Sequence, residues 1–174
     1  PKLNRESYID NVVFISGIGR SGKSLLLPIV SSFQKSEKVN VNFFLELLTG
    51  MHSTQQISDE LAIYLLRSGM NLMAYENAIG RNSNFRKDDY TSIWKFKKPE
   101  EYISRLFESD GDRVFKKIEE EKRLFPLMWH NGLWHSDILL EAFPQSKIIH
   151  VQRNPIDIVF SWMKKGYGGE FYSN

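Results

Sequence analysis

The sequence predicts an α/β fold, a P-loop-like three-layer domain in which helices flank a mainly parallel sheet. Three observations predict it. First, the apolar run Asn11-Val-Val-Phe-Ile-Ser16 passes through the glycine-rich turn Gly17-Ile-Gly-Arg-Ser-Gly-Lys23-Ser24 into a second apolar run, Leu25-Leu-Leu-Pro-Ile-Val30. That is strand, turn and helix start, and the turn matches the phosphate-loop pattern G-x-x-x-x-G-K-S. Second, Lys147-Ile-Ile-His-Val151 reads as a strand and hands over to Asn154-Pro155-Ile-Asp157, a helix start. Third, extended and helical patterns alternate between these units without a linker-like break, so residues 1–174 read as one domain.

The elements follow in order. Residues 12–16 are a buried strand, and 23 to about 33 the helix after it, kinked by Pro28. Residues 34–38 form a polar turn. Residues 39–44 alternate Val39, Val41 and Phe43 with Asn40 and Asn42, which predicts a second strand, and residues 44–48 open a short helix. Leu61, Leu65, Leu66, Met70 and Met73 recur at helical spacing over residues 58–73. Residues 81–91 are a polar loop. Lys98-Pro-Glu-Glu-Tyr102 starts a helix with Pro99 at its first position and an apolar stripe of Tyr102, Ile103, Leu106 and Phe107. Asp110-Gly-Asp112 is a turn, residues 114–123 a charged helix with a solvated face, and 134–143 a helix closed by Phe143-Pro144. Residues 147–151 are a buried strand, with His150 as a core residue. Asn154 then caps a helix reaching about Met163, with Pro155 first and Asp157 in its opening turn.

Composition narrows the function classes. A net charge of +2 is too small to argue for nucleic acid or an anionic membrane surface. The chain has no cysteine, which excludes a disulfide framework and a thiolate metal site and fits a reducing, cytoplasmic setting. No apolar run approaches a membrane span. The chain starts at Pro1 and stops at Asn174, so either end reads as truncated.

The chemistry gathers at two places. In the glycine turn, backbone N–H groups can crowd around an anion, a helix beginning near Ser21 adds its positive end, and Arg20 and Lys23 add full charge. At the other unit, Arg153 ends a strand, and Asp157 and Ser161 share a face of the next helix. Ligands of open α/β sheets sit beyond the carboxyl ends of the strands, so Arg153 is placed to meet a second anionic group of the same ligand. A surface Arg153–Asp157 pair is the simpler alternative.

These two segments resemble the sulfotransferase family. Gly19-Arg20-Ser21-Gly22-Lys23-Ser24-Leu25 is similar to the family's 5′-phosphosulfate loop, which usually reads basic-Ser-Gly-Thr-Thr. Ile148-Ile-His-Val-Gln-Arg153-Asn-Pro-Ile-Asp157-Ile-Val-Phe-Ser161-Trp162 resembles its 3′-phosphate motif, and Glu141-Ala-Phe-Pro144-Gln-Ser-Lys147 its approach to that strand. The resemblance covers about residues 15–35 and 125–165. It implies 3′-phosphoadenosine 5′-phosphosulfate (PAPS) as donor, adenosine 3′,5′-bisphosphate (PAP) as product, and a hydroxyl or amine acceptor on a small molecule, glycan or lipid. Gly19, Arg20, Ser21, Gly22, Lys23, Ser24 and Leu25 would cradle the 5′ side, with Arg20 in the catalytic basic position. Arg153 and Ser161 would hold the 3′-phosphate. No metal is needed if Arg20 and Lys23 neutralise the charge.

Two departures stand out. Lys23 replaces the family's usual Thr and creates the nucleotide-triphosphatase match. The family's C-terminal glycine-containing loop is not recognisable: Lys164-Lys-Gly-Tyr-Gly-Gly169 follows Ser161 too soon, which implies a chain shortened on that side.

An acceptor must lose a proton, so a general base is expected. The resemblance places it at His130, with His135 and Glu46 as alternatives. A P-loop ATP- or GTP-dependent kinase or NTPase is the rival function. It needs an acid at the tip of a neighbouring strand, where this chain has Gln152-Arg153. A non-catalytic nucleotide-binding domain is the third class. Tyr90, Trp94, Phe96, Tyr102, Trp129 and Trp134 line an acceptor pocket or fill the core.

Overall fold

The structure, a computed structural model, describes residues 7–167. Among them four parallel strands form one sheet: β1 (Val12–Ser16), β2 (Asn40–Val41), β3 (Phe125–Trp129) and β4 (Lys147–His150), in the order β2-β3-β1-β4. β1 lies between β3 and β4, pairing Val12 with Phe125 and Val13 with Lys147. The helices are α1 (Lys23–Ser31), α2 (Phe43–Ser53), α3 (Asp59–Ala78), α4 (Pro99–Arg105), α5 (Asp112–Glu121), α6 (Ser136–Ala142) and α7 (Pro155–Lys164).

Every residue of β1 is buried because helices cover both sheet faces. Val12 and Phe14 point into a cluster with Leu66 and Met70 of α3, Leu139 of α6 and Trp129. Val13 and Ile15 point the other way, into a cluster with Leu27 and Val30 of α1, Val39 and Met128. The predicted α/β three-layer architecture is the one observed.

Several elements differ from the sequence reading, each for a local reason. The predicted strand over 39–44 is two residues long. The Asn42 side chain accepts from the N–H groups of Phe44 and Leu45 (3.1 and 3.2 Å), which caps α2 and turns the chain helical at Phe43. Strand β3 was hidden by Pro126, a residue that argues against a central strand. Phe125 donates to the carbonyl of Asn11 (2.8 Å), so by alternation the Pro126 nitrogen faces β2. β2 begins only opposite Leu127, and no ladder bond is lost.

Strand β4 was expected to be buried, yet it is the sheet edge and Ile149 is 38% exposed. α6 begins at Ser136, leaving Trp134 exposed in the preceding turn. Of the predicted α4 stripe, Tyr102 is buried whereas Ile103, Leu106 and Phe107 are exposed. Residues 114–123 do form a mostly solvated helix, but Arg123 falls beyond its end and turns inward. It pairs with Glu37 (2.6 Å) and Glu101 (2.6 Å).

That inward turn completes a buried charge cluster. Arg105 grips Glu37 with both terminal nitrogens (2.9 and 3.0 Å), and the Tyr102 hydroxyl donates to the same carboxylate. Burial alone would push the Glu37 carboxyl up. Arg105 foremost, then Arg123 and Tyr102, outweigh burial and hold it below the usual range. The cluster ties α4 and the chain after α5 to the segment leading into β2.

Candidate active site

The site is assembled where the strands end. The turn from β1 to α1 takes three left-handed conformations in six residues, at Gly17 (φ 146°), Arg20 (φ 68°) and Gly22 (φ 110°). Glycine is required at position 17. A Cβ there would stand 2.6 Å from the Val151 carbonyl oxygen and 2.8 Å from Ser21 Oγ. The helix opens at Lys23, after Gly22, where the sequence placed its start. Ser21 is 6% exposed, and its hydroxyl has no partner among the described residues. An orphaned hydroxyl beside a helix N-terminus suits an anion. The Lys23 ammonium donates to the Gly17 carbonyl. Burial lowers its pKa, opposed by the charge of Glu46. Ser24 is exposed, and so is Leu25, whose backbone N–H donates to Gly22 O (2.9 Å).

The second constellation lies against the first. Val151 N–H donates to Ser16 O (2.8 Å), which carries the chain past β4 alongside the glycine turn. Arg20 Nε donates to Ser161 Oγ (2.9 Å), Arg153 Nη1 reaches Arg20 O (3.4 Å), and Trp162 Nε1 donates to Gly19 O (3.1 Å). Arg153 Nε also stands 3.9 Å from Asp157 on an exposed surface, a pairing of little strength. Asn154 caps α7 through Ile156 N–H (2.9 Å), with Pro155 at its first turn.

A cavity of about 730 Å³ opens beside these residues, bordered by Ser16, Ile18, His130, His150, Arg153 and Trp162. His130 follows β3 directly. Its Nδ1 lies 3.0 Å from Glu46 Oε2, its backbone N–H donates to the same oxygen (3.1 Å), and Phe43 stacks on its ring at 5.8 Å. A carboxylate only accepts, so Nδ1 donates to it, and in the neutral imidazole Nε2 is left as an acceptor. Glu46 is therefore a partner of His130, and two of the three candidate bases form one unit. His135 does not border the cavity. Its pKa is lowered by burial and by His52, with Glu46 opposing.

Residues 12–173, nearly the whole chain, match the family model described as the Sulfotransferase family. The chain belongs to the sulfotransferase family. No curated protein matches it. Membership makes it a transferase of sulfuryl groups. Among the described residues, no helix is long and apolar enough to cross a membrane.

In this sulfotransferase, His150 departs from its expected place in the core. It lies exposed on edge strand β4, bordering the cavity, with Nδ1 3.3 Å from Ser16 Oγ. Of the aromatic residues, Tyr102 and Trp129 are core, Trp129 meeting Phe14 edge-on at 5.3 Å, while exposed Trp134 borders the cavity. Sequence reasoning missed the Trp162 bond to Gly19 and the part played by Ser16. Trp162 carried a signal, since it follows Ser161 on the helix that faces the turn. Gly168 and Gly169 of the run after α7 lie outside the described residues.

Proposed function

We propose that this sulfotransferase uses PAPS as donor and moves its sulfuryl group to a hydroxyl or amine acceptor. The observation that carries the reading is the Arg20 junction. One residue contacts Ser161 through its side chain and Arg153 through its carbonyl, so the two predicted phosphate clamps are neighbours. A nucleotide phosphorylated at both 3′ and 5′ positions can then span them. The orphaned Ser21 hydroxyl, the left-handed turn and the N-terminus of α1 suit its 5′ phosphate.

The chemistry assigns roles to this chain's own groups. His130 Nε2 takes the proton from the acceptor O–H or N–H as that atom bonds to sulfur. Glu46 holds the proton on Nδ1 and stabilises the imidazolium. The bond from sulfur to the phosphate oxygen breaks, and the electron pair leaves with PAP. Arg20 and the backbone N–H groups of residues 22–24 stabilise the charge growing on that oxygen. The tips of β3 and β4 carry His130 and Arg153, not the acid that the triphosphate rival requires, which favours sulfuryl transfer.

Thermal unfolding tests the assignment. PAP should raise Tm by several degrees at concentrations where ATP with magnesium raises it little. A larger shift with ATP and magnesium would replace the reading with the rival.

A further inference from the structure

A second cavity, of about 320 Å³, lies on the α1 side of the sheet. The C-terminal half of α1, the chain entering β2 and the loop at 90–97 enclose it. Lys38, Lys95 and Lys97 border it, together with Ser31 and Tyr90, and no acid among the described residues does. None of these residues borders the nucleotide cleft.

Two of the bordering residues are buried, and their side chains make no hydrogen bond or ion pair among the described residues. Ser31 is 3% exposed, and its Oγ has no hydrogen-bond partner among the described residues. Lys38 is 4% exposed, and no described residue hydrogen-bonds or ion-pairs with its ammonium. The adjacent carboxylate, Glu37, is bonded to Arg105, Arg123 and Tyr102 and makes no ion pair with it. Burial lowers the Lys38 pKa to about 8, with Glu37 opposing and Arg105 adding to the fall. An ammonium largely withdrawn from water with no ion pair of its own is costly, and so is a buried hydroxyl without a partner. One ligand removes both costs.

We propose that this cavity is a second anion site, in which the Lys38 ammonium and the Ser31 hydroxyl bind an oxyanion group, with Lys95 and Lys97 adding charge at its border. The group is a sulfate, phosphate or carboxylate, either free in solution or carried on an acidic saccharide. The site goes beyond the proposed donor cleft and does not depend on it.

Acetylation of Lys38 with dilute acetic anhydride, followed by peptide mass spectrometry, reads the site directly. At ten times its Kd, an occupying anion should slow Lys38 modification roughly tenfold relative to chloride at equal ionic strength. Exposed Lys116 serves as the unprotected control. Inorganic sulfate and a glucuronate-containing disaccharide are tested separately. Protection by sulfate identifies a free-anion site, and protection by the disaccharide alone identifies a group carried on a saccharide. Lys38→Met should melt no lower than the parent in chloride and lose part of the stabilisation by whichever anion protected. A Lys38 that fails to react in chloride, or reacts equally with and without both anions, overturns the proposal, as does an undiminished anion shift in Lys38→Met. Because the labelling readout involves no nucleotide, its failure leaves the PAPS assignment standing.

Discussion

Glu46 holds His130 twice, accepting from its backbone N–H at 3.1 Å and facing its Nδ1 at 3.0 Å. The two residues lie 84 positions apart in the chain. α2 brings one and the tip of β3 the other, and the contact fixes both the place and the tautomer of the imidazole.

If His130 is the base, His130→Ala should lower turnover by about 10²–10⁴-fold. Its affinity for PAP should stay near that of the parent. Glu46→Gln keeps the shape but weakens orientation, and should cost about 10–100-fold. Steady-state assays paired with calorimetry check both, and full activity in His130→Ala would eliminate it as the base.

Arg153 offers a forked cation beside the Arg20 carbonyl. Arg153→Ala should weaken PAP binding by about 10–100-fold, the loss of a charge-assisted contact, and leave adenosine 5′-monophosphate binding almost unchanged. Equal losses for the two nucleotides by calorimetry would remove the 3′-phosphate assignment.

If Arg20 and Lys23 neutralise the donor's charge, as proposed, a magnesium ion is unnecessary for donor binding. Affinity for PAP should change by less than about twofold between magnesium and chelator, within the scatter of such measurements. A tenfold gain with magnesium would favour the triphosphate rival.

Stability should carry the signature of Glu37. Its carboxyl titrates below the usual range in the folded chain, so it contributes stability above its unfolded pKa of about 4.3. That contribution is lost as pH falls from there through the lower folded value. Glu37→Gln leaves Arg105 and Arg123 turned inward without their carboxylate. It should cost about 3–5 kcal/mol near neutral pH, and less in acid. Urea denaturation at a series of pH values reads both; an unchanged midpoint would mean the cluster adds nothing.

Much of this was legible beforehand where a signal is local. The glycine turn, the Asn154 cap and the helical spacing of α3 each depend on residues a few positions apart, so sequence carries them whole. β3 was not legible, because Pro126 is excluded from a central strand unless its neighbour happens to start one residue later. His150 was misplaced because an apolar flank looks the same on an edge strand as on a buried one. Arg123 was misread because its partners Glu37 and Glu101 are distant in sequence.

The sequence by itself determined the α/β class and the glycine turn, since these rest on short-range backbone requirements, and it suggested the meeting of that turn with the Arg153 segment only through the resemblance and the rule that ligands sit beyond strand ends. Tertiary structure alone decided that Glu46 serves His130, that Trp162 binds the Gly19 carbonyl, and that Lys38 and Ser31 share a cavity. Those contacts join residues brought together by the parallel crossovers of the sheet, and no spacing along the chain encodes which side chains meet when strands are ordered β2-β3-β1-β4.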